Sequence, residues 1–343
     1  MNNNTGGLRF NKPEWNFRYF LFLFIIIICI SCENTLHIHA PGEATPIVYG
    51  LLSPDKPFQQ VRIGRSYQSG RSQMNQQDLT DSTVWNLPIE VYMEEWTDGY
   101  PSKIIYFNPF TGVKKDTGFF PTENLRVYQA NYQVKLETKY YLYVYFPDTE
   151  RIASGWTIVP GRPDIEDPKE VPGRKMTILP DRSYTLRWKP AKNGNLYQGE
   201  FSVYIRQELQ EGWTTQMIKV PTKLFIEMNP MNLVSNSLNG RRFYDSFIDQ
   251  LETDPDVTRR IFSVDYRFYT GGTELAFYVM GQSGDSESFA SIQEYSNINN
   301  GVGVFSSILI DVVPNLEFSN ITLDTLAHHE LTKHLGFVDH KGE

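Results

Sequence analysis

The segment from Tyr140 to Phe146 alternates strictly, with Tyr140, Leu142, Val144 and Phe146 on one side and Tyr141, Tyr143 and Tyr145 on the other. A period of two sends successive side chains to opposite faces of a strand, so the segment can bury one face of a sheet. The pattern recurs where Ile89, Val91 and Met93 alternate with Glu90, Tyr92 and Glu94, and on shorter pieces at Val61/Ile63 and Val134/Leu136. Turn formers separate these pieces: Ser53-Pro54-Asp55, Asp98-Gly99, Asn108-Pro109 and Pro147-Asp148. Aromatic residues are 14 % of the chain, which favours sheet over a helical bundle. Residues 46–160 therefore predict about seven or eight short strands in a β-sandwich. The polar stretch Ser66 to Val84 breaks the rhythm and is expected to be a long exposed loop.

Gly161 to Gly173 carries three prolines and four acids and is expected to be an interdomain linker. Its Asp164, Glu166 and Asp167 lack the ligand spacing of a calcium loop, so they are read as solvated linker acids. Beyond it, Ser183 to Lys189 and Glu200 to Gln207 are expected strands, with Trp188 and Tyr204 in the core. Phe243, Phe247 and Leu251 recur every four residues and mark an amphipathic helix over 240–253. Strands are expected to resume at Ile261 to Tyr269 and Glu274 to Met280. Leu323, Leu326, Leu331 and Leu335 mark a docking helix over 322–335, ended by Gly336. The fold expected is mainly β: an immunoglobulin- or prealbumin-like sandwich at 46–160, then a fibronectin-like β-rich domain with a few short helices at 174–343.

The N-terminus predicts where the chain resides. Arg9, Lys12 and Arg18 precede the uncharged run Tyr19 to Ser31. As a helix this run spans roughly 20 Å, short of the ~30 Å hydrocarbon core, which is the anatomy of a signal peptide. It ends in Cys29-Ile30-Ser31-Cys32, which resembles the lipobox of bacterial lipoproteins, with Cys29 where that pattern prefers Leu, Val or Ile. The resemblance implies that residues 1–31 are removed, that Cys32 receives diacylglycerol and that its new amino group is acylated, as with palmitate. The alternative is an ordinary signal peptide with a free cysteine near its cleavage site. Several acyl chains give stable attachment where one does not. Residues 32–45 then form a polar tether, with His37 and His39 solvated.

Tyr295 to Phe305 reads YSNINNGVGVF and is similar to the SNI-x-x-G-x-G-x-F segment of a Bacteroidota outer-membrane lipoprotein family of unknown function. Ile47 to Asp55 (IVYGLLSPD) is similar to that family's first strand and turn. The resemblance implies a neighbourhood beside TonB-dependent outer-membrane transporters and has no catalytic residues to carry over. Physically, Asn300-Gly301 supplies a turn with positive φ, and Gly303 lets backbones approach before Phe305 enters the core.

Chemical signatures are few. His329 and His334 are five apart, which leaves them ~140° apart on a helix and not on the shared face of an HExxH site. His328 does not repair the spacing, so all three are read as structural or solvated. Gly281 to Asp285 lacks the last glycine of a GxSxG elbow and is read as a polar hairpin loop. The net charge of −8 argues against nucleic acid, and both cysteines lie within the first 32 residues, so there is no disulfide framework. The expectation is a non-enzymatic protein without metal or cofactor, lipid-anchored to the outer membrane through Cys32 and accessory to a transporter. The alternative is a surface glycan-binding lipoprotein using Trp85, Trp96, Trp156 or Trp213, and a hydrolase with a scattered site is the third reading.

A clickable fatty acid fed to expressing cells should label the wild type and Cys29→Ser but not Cys32→Ser. Undiminished label on Cys32→Ser would remove the lipoprotein reading.

Overall fold

In the computed structural model, residues 44–66, 85, 88–113, 125–228, 233–282 and 295–342 are described. Cys32, His37, His39, the segment 1–31 expected to be a signal peptide and residues 67–84, expected to lie in an exposed loop, are outside the described residues. Of the alternating segments, Val61/Ile63, Ile89 to Glu94 and Tyr140 to Phe146 form strands as expected, in β2 (Gln59–Arg65), β3 (Glu90–Thr97) and β6 (Lys139–Phe146), beside β1 (Pro46–Leu52), β4 (Tyr100–Val113), β5 (Leu125–Ala130) and β7 (Arg151–Ile158). Val134 and Leu136 belong to no strand, and Asn108-Pro109, expected at a turn, lies inside β4 where that strand changes partners. β4 pairs with β3 up to Phe107 and with β5 from Asn108 onward, so one long strand serves two sets of partners. Val48, Leu52, Val61 and Tyr128 from β1, β2 and β5 share one core with Val91, Met93, Tyr140, Leu142, Val144 and Phe146 from β3 and β6. The sheet therefore folds over on its own apolar face, as a sandwich requires.

The C-terminal half contributes β8 (Asp164–Asp167), β9 (Ser183–Lys189), β10 (Leu196–Leu209), β11 (Gly212–Pro221), β12 (Phe225–Ile226), β13 (Val234–Asn239), β14 (Thr258–Gly271) and β15 (Val302–Leu316). Its helices are α1 (Gly240–Gln250), α2 (Thr273–Gln282) and α3 (Asn320–His328). One continuous sheet runs β11-β10-β14-β15-β1-β2-β5-β4-β3-β6-β7, with β12 added beside β10; a small sheet runs β13-β9-β8. A second core holds Trp188, Tyr197, Phe201, Tyr266 and Phe268 from the strands, with Phe243 and Phe247 of α1 and Leu326 of α3. The architecture is mainly β and sandwich-like, and among the described residues every helix lies in the C-terminal half.

The two halves share their central seam. β1 pairs in parallel with β15, from Ile47 opposite Val302 to Leu52 opposite Ser307. Phe305, near the start of β15, is wholly buried in the first core, and Leu316, at its end, belongs to the second. Ile298 also joins the first core, although sequence order places it far into the C-terminal half. Asn297 clamps this region: its side chain accepts from the Phe305 N–H at 2.9 Å and donates to the carbonyls of Phe305 (2.8 Å) and Trp156 (3.0 Å). Asn300 has φ 54° and Gly303 φ 119°. A Cβ on Gly303 would lie 2.1 Å from the Val48 carbonyl oxygen, so only glycine lets β15 approach β1 here.

Several local expectations change. Glu274 to Met280 is helical, inside α2. The Gly271-Gly272 pair ends β14, and the first turn is satisfied by Ala276 N–H to the Gly272 carbonyl (3.1 Å) and Leu275 N–H to Ser306 Oγ (3.0 Å). An apolar run of that length suits either structure, and these partners decide it. The helix expected over 322–335 stops at His328. Leu335 and Phe337 are buried through a separate 3-10 turn, Lys333–Leu335, after which Gly336 takes φ 69°. Tyr204 faces outward beside Phe262, because the period of β10 puts Phe201, Val203 and Ile205 inward. The linker acids are not simply solvated. Asp164–Asp167 is a strand, Lys189 pairs with Asp164 (2.8 Å) and Glu166 (3.2 Å), and buried Asp167 is held by Arg174 (2.6 Å), Arg187 (3.3 Å) and the Tyr184 hydroxyl (2.5 Å).

Gly303→Ala should cost roughly 2–4 kcal/mol, because it combines an unfavourable φ with a backbone clash. Gly99→Ala, at φ 84° with open space around it, should cost only about 1 kcal/mol. Urea unfolding of both variants checks the difference, and equal losses would show that the β1–β15 approach does not limit stability.

Candidate aromatic binding face

Alternation in β3, β4, β6 and β7 gives their sheet two faces. Val91, Met93 and Glu95 of β3 and Tyr140 to Phe146 in steps of two on β6 point inward. The other set points out and lines up across strands. Tyr106, Tyr92 and Tyr143 are register partners across β4, β3 and β6. The next row runs Ile104, Glu94, Tyr141 and Trp156, and Trp96 stands opposite Lys139. Directly opposed side chains in an antiparallel sheet lie close enough for their rings to interact.

The rings form a connected platform. Tyr92 and Tyr143 are nearly parallel, at 22° with centroids 5.1 Å apart, and Tyr106 sits 5.9 Å from Tyr92. Trp96 packs on Tyr141 at 4.8 Å, and Tyr141 reaches Trp156 at 6.5 Å. Lys139 Nζ lies 4.1 Å from the Trp156 ring centre and 4.5 Å from that of Tyr141, a cation held over two π-faces. Glu94 accepts from Trp96 Nε1 at 3.0 Å and from the Tyr143 hydroxyl at 3.4 Å. Burial, and then the charge of Glu94, push the Tyr92 and Tyr143 phenols above their usual range, so both remain hydrogen-bond donors at physiological pH. Tyr106 is 63 % exposed and Trp156 40 % exposed. Exposed aromatic area with polar tips is what interaction surfaces use.

Beneath the platform, β3 is pinned from its inward side. Buried Glu95 accepts from Lys135 Nζ at 2.6 Å, from the Tyr140 hydroxyl at 2.9 Å and from the Tyr132 hydroxyl. Burial pushes the Glu95 carboxyl up, but these three donors outweigh it and hold it below the usual carboxylate range. The same carboxylate and burial push the Tyr132 phenol up to about 12.

Of the four tryptophans singled out in the sequence, the structure brings Trp96 and Trp156 to one face, separated by Tyr141. Trp85 is buried against Phe146 at 4.4 Å. Trp213 is exposed on β11, with the Arg206 guanidinium 4.5 Å from its ring centre. The near-parallel pair on the platform is made of tyrosines. Tyr92, Glu94, Tyr141 and Tyr143 stand on the outward halves of the 89–94 and 140–146 alternations but were not singled out as a site, and Tyr106 and Lys139 carry no such signal. His329 Nδ1 accepts from the Leu331 N–H at 3.2 Å, and His334 is exposed. Of the Gly281 to Asp285 fragment, Gly281 and Gln282 end α2, and residues 283–285 lie outside the described residues. A hollow of about 260 Å³ between 169–174 and 315–317 is lined by no histidine, serine or cysteine.

No protein-family model and no curated protein matches the chain. A solved structure described as Dpr11 IG1 bound to DIP-gamma IG+IG2 is similar at 8 % identity, over 56 % of this chain and 96 % of its own, with a TM-score of 0.17. An overlap that poor supports no conclusion about fold or function.

Glu95→Gln should cost about 1–3 kcal/mol at neutral pH, since it removes the charge that Lys135 and two phenols face. The native carboxyl is held below its unfolded value, so its contribution is present above the unfolded pKa and is lost as pH falls through the folded one. The gap between wild type and variant should therefore close as pH falls below the usual carboxylate range, as read by urea midpoints across pH. A gap independent of pH would show that the carboxylate is not ionised in the folded protein.

Proposed function

We propose that this chain is a lipid-anchored cell-envelope protein that works by binding, as an accessory subunit of a TonB-dependent outer-membrane transporter, and that the outward face of β4, β3, β6 and β7 is its contact surface. The observation that carries this proposal is the aromatic platform itself. Rigid Tyr and Trp side chains offer large contact area at small entropic cost, and such residues dominate interface energetics. The platform stands on paired strands over a packed core, so its rings are ordered before any partner arrives. The anchor is read from Cys32, and the transporter from the resemblance carried by Ile47 to Asp55 and Tyr295 to Phe305. A net charge of −8 favours a partner with a basic patch, chiefly through association rate.

The second reading, a surface glycan-binding lipoprotein, is favoured by the near-parallel Tyr92–Tyr143 pair. Flat rings flanked by the Glu94 carboxylate suit the apolar faces and hydroxyls of sugar rings.

Crosslinking in native membranes, followed by mass spectrometry, separates the two. Wild type should recover an outer-membrane transporter, and a Tyr106→Ala, Trp156→Ala double variant should recover it at least ~10-fold less. Recovery undiminished in the variant would remove the platform from the function. Retardation of the wild type, but not the variant, in gels containing polysaccharide would establish the glycan reading. Turnover of a glycan or peptide by the purified protein would overturn both.

A further inference from the structure

At the opposite end of the chain, the C-terminal turn gathers two imidazoles and two carboxylates that the binding face does not use. Asp324 and His328 are one turn apart on α3, so they share a side of that helix. Beyond Phe337 the chain comes back alongside. The His340 N–H donates to Asp324 Oδ1 at 3.1 Å, and His340 Nδ1 stands 2.5 Å from the same oxygen. Asp339 Oδ1 accepts from the Lys341 N–H at 2.9 Å, while its Oδ2 stands 3.6 Å from His328 Nε2. Donor atoms of Asp324, Asp339 and His340 all lie within 4.8 Å of one another.

This cluster is built on a fixed tail. Buried Arg259 donates through its side chain to the Leu335 carbonyl, to the Glu252 carbonyl at 3.0 Å and to Gln207 Oε1 at 2.9 Å. Its backbone pairs with Gly336 (2.7 Å) and Val338 (3.1 Å), which sets where residues 339–340 emerge. The Gly342 N–H closes the turn on the Asp339 carbonyl at 3.0 Å. Preorganised donors are what separate a metal site from a chance group of surface charges.

We propose that Asp324, Asp339 and His340 form a binding site for a divalent transition ion of the zinc class, with solvent completing the coordination and His328 beside Asp339. Bonds of about 2.0–2.2 Å to nitrogen and oxygen put tetrahedral donors roughly 3.3–3.6 Å apart, within the span of the separations here. Mixed imidazole and carboxylate donors suit zinc, cobalt or nickel, whereas calcium and magnesium take oxygen sets. The ion takes the place of the hydrogen between His340 Nδ1 and Asp324 Oδ1, with His340 binding through Nδ1 as its Nε2–H tautomer. His329 and His334 take no part. This assignment is independent of the aromatic face.

The test uses the full chain without a polyhistidine tag, stripped with a chelator. Calorimetry should show uptake of one equivalent of Zn²⁺, and Co²⁺ should develop visible d–d bands that Zn²⁺ then bleaches. Asp339→Asn and His340→Gln should each weaken Zn²⁺ binding at least ~10-fold, and His334→Gln should leave it unchanged. The wild-type cobalt titration needs no variant, so a variant that fails to fold leaves the test intact. No stoichiometric uptake by folded wild type overturns the assignment. So does uptake that Asp339→Asn and His340→Gln, verified as folded by circular dichroism, leave unchanged.

Discussion

The structure depends on the close parallel approach of β1 to β15. Gly303 gives up its Cβ so that its backbone can lie against Val48, and Gly50 does so for the Phe305 ring, 2.8 Å from where a Cβ would stand. Around this contact the Asn297 clamp ties β15 to β7, and Asp55 Oδ2 accepts from the Ile310 N–H at 2.7 Å. Asp55 and Ile310 are 255 residues apart, so the seam closes a very long loop. Once closed, it joins what would otherwise be two sheets into one and commits both cores to a shared strand.

With the seam in place, one alternation serves two purposes in the first half. The inward residues of β3 and β6 fill the core, and the outward ones make the aromatic platform. A one-residue slip in either strand would exchange the two sets. Glu95 opposes such a slip, since its carboxylate meets Lys135 and the Tyr132 and Tyr140 phenols only in this register. A row of exposed rings on an ordered sheet is the kind of surface that interaction sites use.

Buried polar groups specify the second half. Arg259 is 2 % exposed, and burial lowers its pKa, yet its side chain is turned to carbonyl oxygens and Gln207 that hold the C-terminal tail in place. Glu274, at the start of α2, accepts from Thr157 Oγ1 at 2.9 Å, and burial raises its pKa more than that bond lowers it. Groups of this kind are costly to desolvate, and they fit only one docking of helix and tail on the sheet.

Local pattern alone was enough for β2, β3 and β6, for α1, and for the backbone demands of Asn300, Gly303 and Phe305. Each follows from a local period or from the sterics of one residue. The outward tyrosines were equally visible as an alternation, but not as a surface, because a single strand does not reveal which strands lie beside it. Tertiary structure alone decided that Glu274 to Met280 is a helix and that residues 161–173 contain a paired strand. It alone brought Asp324 to Asp339 and His340, fifteen and sixteen positions away along the chain. The physical reason is common to all of these. Local rules act over one turn or one pleat, whereas hydrogen bonds to Ser306, Gly336 and Arg187 exist only after the sheet has closed.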